Sequence, residues 1–93
     1  MPLRVSSAAE LGAVLRETRT GLKIHAADLA IIADMSPTTL RRLESGNPTS
    51  AVLSLLVLLD ELGIELYLSP PPDLPPVVLP PAGTAPKRRR VSA

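Results

Sequence analysis

The residues of this 93-residue chain best equipped for chemistry are cationic. Arg41 and Arg42 follow one turn after Ser36-Pro37, a pairing of helix N-cap and first-turn proline. Guanidinium groups are permanently charged planar donors. Placed on the opening turns of a helix, they favour contact with DNA over the plainer reading of a solvated face. A second basic group, Lys87, Arg88, Arg89 and Arg90, stands near the C-terminus. There an electrostatic arm that grips phosphates and a merely solubilising end are equal alternatives. Catalytic groups do not assemble: Asp34, Asp60, Glu61 and Glu65 have no histidine, cysteine or glycine-rich loop spaced with them. No enzyme, metal or cofactor is therefore expected. The single His25 cannot build a metal cage and is read as a helix-entry residue, a charge switch near phosphate being its other use.

Composition narrows the setting. The chain has no cysteine, which excludes disulfide scaffolds, zinc fingers and thiol catalysis and suits a reducing cytoplasm. Tyr67 is the sole aromatic residue, so the stacking platforms used for single-stranded nucleic acid are missing. The longest apolar stretch, Ala51 to Leu59, is broken by Ser54 and falls short of the ~20 residues of a membrane span. No secretion signal is visible at Met1 to Ser7, so a cytoplasmic protein without membrane contact is expected.

The formal net charge of +1 conceals a division. Residues 1–69 hold six Lys/Arg against eight Asp/Glu, and residues 70–93 hold four against Asp73 alone. Eight of the eleven prolines also fall in residues 70–93, where missing amide donors and fixed φ oppose helix and sheet alike. Two parts are therefore expected: a body, 1–69, and a disordered proline-rich tail, 70–93, with a basic end.

The body must position Arg41 and Arg42, and its apolar period is helical. Ser7 and Glu10 form an S-x-x-E capping box ahead of Leu11, Val14, Leu15 and Thr18, which predicts a helix over about 8–20 ended or loosened by Gly21. A shorter segment over 26–33 places Leu29, Ala30 and Ala33 together. A third helix is predicted from Pro37 to about Glu44, broken by Ser45-Gly46-Asn47-Pro48, and a fourth from about Ser50 to Leu62, closed by Gly63. The fourth is apolar nearly all round, more than a single buried stripe requires. Leu53 and Val57 are read as a dimer face in preference to ordinary core. Ile64, Leu66 and Leu68 alternate with Glu65 and Tyr67, the period of a half-buried strand. No second strand pattern shows in the body, so the simplest partner is the same strand of a second copy.

Two short helices joined by Asp34-Met35-Ser36, the second opening on proline, have the geometry of a helix-turn-helix. From Leu15-Arg16-Glu17-Thr18-Arg19 through Asp28-Leu29-Ala30 to Ser36-Pro37-Thr38-Thr39-Leu40-Arg41-Arg42-Leu43-Glu44-Ser45-Gly46, the chain resembles the Xre/Cro/C1 family of helix-turn-helix repressors, without a gap and over about residues 8–64. The resemblance implies an all-α, lambda-repressor-like bundle of four to five helices, with the C-terminal strand pairing across a homodimer. It implies an ion pair between Arg19 and Glu44 that ties the first helix to the reading helix. It further implies base contacts from Pro37, Thr38, Arg41 and Arg42, and phosphate contacts from Ser45 and the amides before the second helix; His25 and Ala26 at the start of that helix and Ser36 at the start of the third also border the face. Leu29, Met35, Leu40 and Leu43 match the family's core. Ala26 and Pro37 depart from it, since polar residues are common there; base reading then rests on few side chains, with DNA shape contributing more.

Ser45-Gly46-Asn47-Pro48-Thr49, a leucine-rich helix, Gly63 and Ile64-Glu65-Leu66-Tyr67-Leu68 are similar to the HipB-like branch. That likeness implies an antitoxin that represses its own operon at an inverted repeat and sequesters a HipA-like serine/threonine kinase toxin. Two other readings stand beside it: a protein-binding toxin neutraliser with little DNA binding, and a phage or plasmid repressor with no toxin.

Overall fold

A computed structural model describes residues 2–79. The element order is β1 (Leu3–Val5), α1 (Ala8–Gly21), α2 (Ala26–Ile32), α3 (Pro37–Glu44), α4 (Ser50–Glu61) and β2 (Leu66–Leu68). The chain is thus mostly helical, with four helices and one small sheet among the described residues. Lys87 to Arg90 and the expected disorder of residues 80–93 lie outside those described.

Each helix begins where its capping chemistry stands. Ser7 caps α1, accepting from the Glu10 amide at 3.1 Å. The reciprocal half of the box reaches one residue further back, the Glu10 carboxylate accepting from the Ser6 amide at 2.7 Å. Ser36 caps α3 in the same way, accepting from the Thr39 amide at 3.1 Å, with Pro37 in the first turn.

All four helices end alike. A residue in the left-handed region follows each: Lys23 (φ 59°), Asp34 (57°), Gly46 (85°) and Gly63 (74°). The next amide then returns to a carbonyl of the last turn, Ile24 to Arg19 at 3.2 Å, Met35 to Ala30 at 2.9 Å, Asn47 to Arg42 at 2.8 Å and Ile64 to Leu59 at 2.9 Å. These are Schellman closures, which satisfy carbonyls that a helix end leaves open. Gly46 and Gly63 adopt the conformation without a Cβ penalty, whereas Lys23 and Asp34 bear it. The left-handed stop after α1 is therefore Lys23 and not the nearby Gly21.

Gly12 sets the spacing of α1 and α3. A Cβ added there would overlap the Leu43 carbonyl oxygen and lie 2.7 Å from that of Glu44. The two backbones meet with no room for a side chain, and α1 is held against the C-terminal end of α3.

The expectation of a lone C-terminal strand is corrected. β2 pairs antiparallel with β1 of the same chain, Leu3 opposite Leu68, Arg4 opposite Tyr67 and Val5 opposite Leu66. Three residues, Leu-Arg-Val, are too few to register a period of two, which is why β1 escapes the sequence pattern. With an internal partner, β2 needs no second copy to satisfy its paired edge. Ile64 belongs to the closure of α4 and not to the strand.

Leu74, within the proline-rich segment, packs on the body. Its amide bonds the Pro71 carbonyl at 3.3 Å, and a Cβ added to Gly21 would lie 3.4 Å from both of its δ carbons. The core is thin: Val5, Val14, Ala30, Leu40 and Leu56, with Pro48, are the buried apolar side chains among the described residues. Of the expected family core, Leu40 is buried and Leu29, Met35 and Leu43 are half-buried. Much apolar surface stays outside, including Leu53, Leu55, Val57 and Leu58 of α4 and Leu62 just after it.

Two substitutions probe these features. Lys23→Gly is expected to raise unfolding free energy by about 1 kcal/mol, read as a higher urea midpoint at unchanged slope; an unmoved midpoint contradicts a strained closure. Gly12→Ala gains about 1 kcal/mol of helix propensity but must force backbones apart, so a net loss of about 1–3 kcal/mol is expected. A stabilised Gly12→Ala protein would contradict the close approach.

Candidate nucleic-acid interface

α2 starts at His25, an N-cap whose backbone is extended and whose side chain makes no cap hydrogen bond. It ends at Ile32, and the left-handed Asp34 turns the chain into Ser36. Ser36 is committed to the start of α3: besides the Thr39 amide, its hydroxyl lies 2.8 Å from Thr39 Oγ1. Pro37, Thr38, Arg41 and Arg42 are exposed along α3, while Leu40 turns inward and is buried. An eight-residue helix thus presents a polar and cationic outer face and an apolar inner one.

The two adjacent arginines of α3 do not share an environment. Arg42 Nε donates to the Asn47 carbonyl at 3.1 Å, so this side chain braces the turn that closes its own helix. Arg41 makes no such bond and instead lines an open cleft of about 240 Å³ with Arg16, Arg19, Ala26, Glu44 and Ser45. The Ser45 hydroxyl donates back to the Arg41 carbonyl at 2.8 Å. Ala26 is half-buried at the cleft wall, and His25 beside it is exposed.

Under the cleft sits the expected ion pair. Arg19 Nε donates to Glu44 Oε2 at 2.6 Å, Nη2 to Glu44 Oε1 at 2.9 Å, and Nη1 to the Ile24 carbonyl at 2.9 Å. The pair is bidentate, so it fixes orientation as well as distance. The Glu44 bond raises the Arg19 pKa, with desolvation opposing and the Glu44 charge adding. A raised cationic pKa means that the contribution is complete below the unfolded value and is lost only as pH climbs past the folded one. Arg19 is therefore charged throughout the ordinary pH range. The side chains are only 14% and 9% exposed, so the pair carries energy as well as geometry: removing one partner strands the other charge in a desolvated place.

The structure thus brings Ala26, Arg41 and Ser45 together over Arg19 and Glu44. It places Thr38 and Pro37 further along the outer face and ties Ser36 and Arg42 partly into helix ends. Arg16 is the cleft residue that sequence reasoning passed over as a site. The signal was its position three residues before Arg19, one turn up the same helix face.

Among the described residues no group of three or more potential ligands is placed to hold a metal ion, and no helix is long and apolar enough to cross a membrane. Comparison of the chain with known family models, with curated proteins and with solved structures finds no significant match in any of the three.

Arg19→Ala is expected to cost about 3 kcal/mol in urea unfolding, because it leaves the Glu44 carboxylate desolvated and unpaired. Arg19→Lys keeps the charge but loses the fork and recovers only part of that. A loss for Arg19→Ala as small as that of an exposed surface pair, below about 0.5 kcal/mol, would contradict the tie between α1 and α3.

Proposed function

We propose that the chain is a sequence-specific DNA-binding repressor of the helix-turn-helix type, working as a homodimer. In this reading α2 and α3 form the motif and α3 enters the major groove. The observation that carries it is the outer face of α3, where exposed Thr38, Arg41 and Arg42 stand on a helix clamped to α1 by the bidentate Arg19–Glu44 pair. A groove reader needs both properties: donors that match base edges and phosphates, and a rigid angle of presentation.

A second copy would cover the apolar side of α4. Leu53, Val57 and Ile64 are 43%, 44% and 52% exposed, and a face of this size on so thin a core is better explained by a partner than by solvent. Leu66 and Leu68 are half-buried within the β1–β2 pair and contribute less to such a face than Leu53 and Val57. In the dimer, two α3 helices about one DNA turn apart would engage the halves of an inverted repeat and occlude polymerase. The similarity to HipB-like chains extends the proposal to an antitoxin that holds a HipA-like serine/threonine kinase toxin and represses the shared operon.

A second reading, a toxin-binding module with little DNA binding, is favoured by two features. Residues 1–69 carry a net negative charge, and apolar Ala26 and Pro37 occupy positions at the interface. Electrophoretic mobility shift with DNA upstream of the chain's own gene, in excess random competitor, separates the two. A specific shift is expected, weakened about tenfold or more by Arg42→Ala, the size of one lost bidentate base contact. Absence of any specific shift at moderate salt overturns the DNA reading and favours the second.

A further inference from the structure

Of the five described arginines, Arg4 pairs with Glu65, Arg19 with Glu44, and Arg42 with the Asn47 carbonyl. Of these five arginines, Arg16 and Arg41 alone make no side-chain hydrogen bond or ion pair, and these two line the same cleft. Its sole carboxylate, Glu44, has both oxygens engaged by Arg19. The cleft therefore holds two uncompensated positive charges, on separate helices, facing one open space of about 240 Å³.

Such an arrangement costs the free protein mutual repulsion and suits one anion that both forks can bond. The space is open to solvent and flanked by the outer face of α3, so its occupant arrives with whatever α3 engages. Ser45, at the rim, gives its hydroxyl proton to the Arg41 carbonyl, so the donors left to a ligand in the cleft are the guanidiniums.

We propose that the cleft between Arg16 and Arg41 seats a single phosphate of the DNA backbone, and that Arg41 consequently grips DNA while base reading on this helix falls to Thr38 and Arg42. The inference rests on the DNA-binding reading above and deepens it by assigning Arg16 a contact and by dividing the labour of the adjacent arginines. Arg16 is a positioning residue: a phosphate held between α1 and α3 fixes the register of α3 in the groove without itself carrying sequence information.

The test uses the full chain and a random-sequence duplex about two helical turns long, with binding measured across a salt series. Each phosphate contact contributes about 0.9 to the slope of log affinity against log salt. Arg16→Ala and Arg41→Ala are each expected to lower that slope by about 0.9 and to weaken operator and random DNA by the same factor. Arg4→Ala, at the sheet and already paired, keeps the wild-type slope. Urea midpoints of Arg16→Ala and Arg41→Ala stay equal to wild type or rise, because repulsion is relieved; a lower midpoint would reveal a partner inside the fold and overturn the premise. If wild type binds DNA while Arg16→Ala keeps its full slope, the phosphate seat is wrong and the DNA reading stands. If Arg41→Ala changes preference among operator bases, the division of labour is wrong. Should wild type bind no duplex at any salt, both the DNA reading and the seat fail, and the paired arginines become candidates for an acidic protein partner.

Discussion

Everything α3 presents outward depends on how closely α1 lies against its C-terminal end. The approach is made possible by an absence, the missing side chain of Gly12 beneath the Leu43 and Glu44 carbonyls. It is made directional by a presence, the fork of Arg19 on the two oxygens of Glu44. Backbone contact sets the distance and the bidentate bond sets the angle. The Arg19 fork also holds the Ile24 carbonyl, so one guanidinium joins the end of α1, the loop into α2 and the end of α3. Three helices are thereby positioned by a single side chain with little exposure to water.

The remainder of the fold is economical. Few apolar side chains are fully buried, so stability leans on well-formed helix ends. Each helix closes with the same left-handed step, and each closure returns a carbonyl to an amide at the point where the chain changes direction. The β1–β2 pair brings the N-terminal strand beside the chain that leaves α4, and Leu74 on Gly21 returns the proline-rich segment to the end of α1. α4 has Leu56 buried and leaves several leucines outward. The molecule thus exposes a cationic face, at α1 and α3, and an apolar face along α4.

Helix boundaries were largely legible because their signals are local. Ser7 with Glu10, Ser36 with Pro37, and Gly46 and Gly63 act within one turn, and the helices begin and end beside them. Arg19 and Glu44, distant in sequence, were legible through the resemblance of the whole helical register. What escaped depends on tertiary approach. Leu3–Val5 is too short to show a period, and its pairing is chosen by where α4 delivers Leu66–Leu68. Gly12 reads as an ordinary weak helix residue until the α3 carbonyls stand over it. Arg41 and Arg42 look equivalent in sequence, yet a rotation of one residue along α3 sends one to the cleft and the other to the Asn47 carbonyl.

The most direct measurement is backbone amide NMR of the full chain titrated with duplex DNA from upstream of its own gene. Binding through the α3 face predicts shift changes concentrated at Arg16, at the start of α2 and along Pro37 to Ser45, with α4 outside the DNA contact. Changes centred on α4 and the sheet, or none at all, would contradict the assignment of this face to DNA.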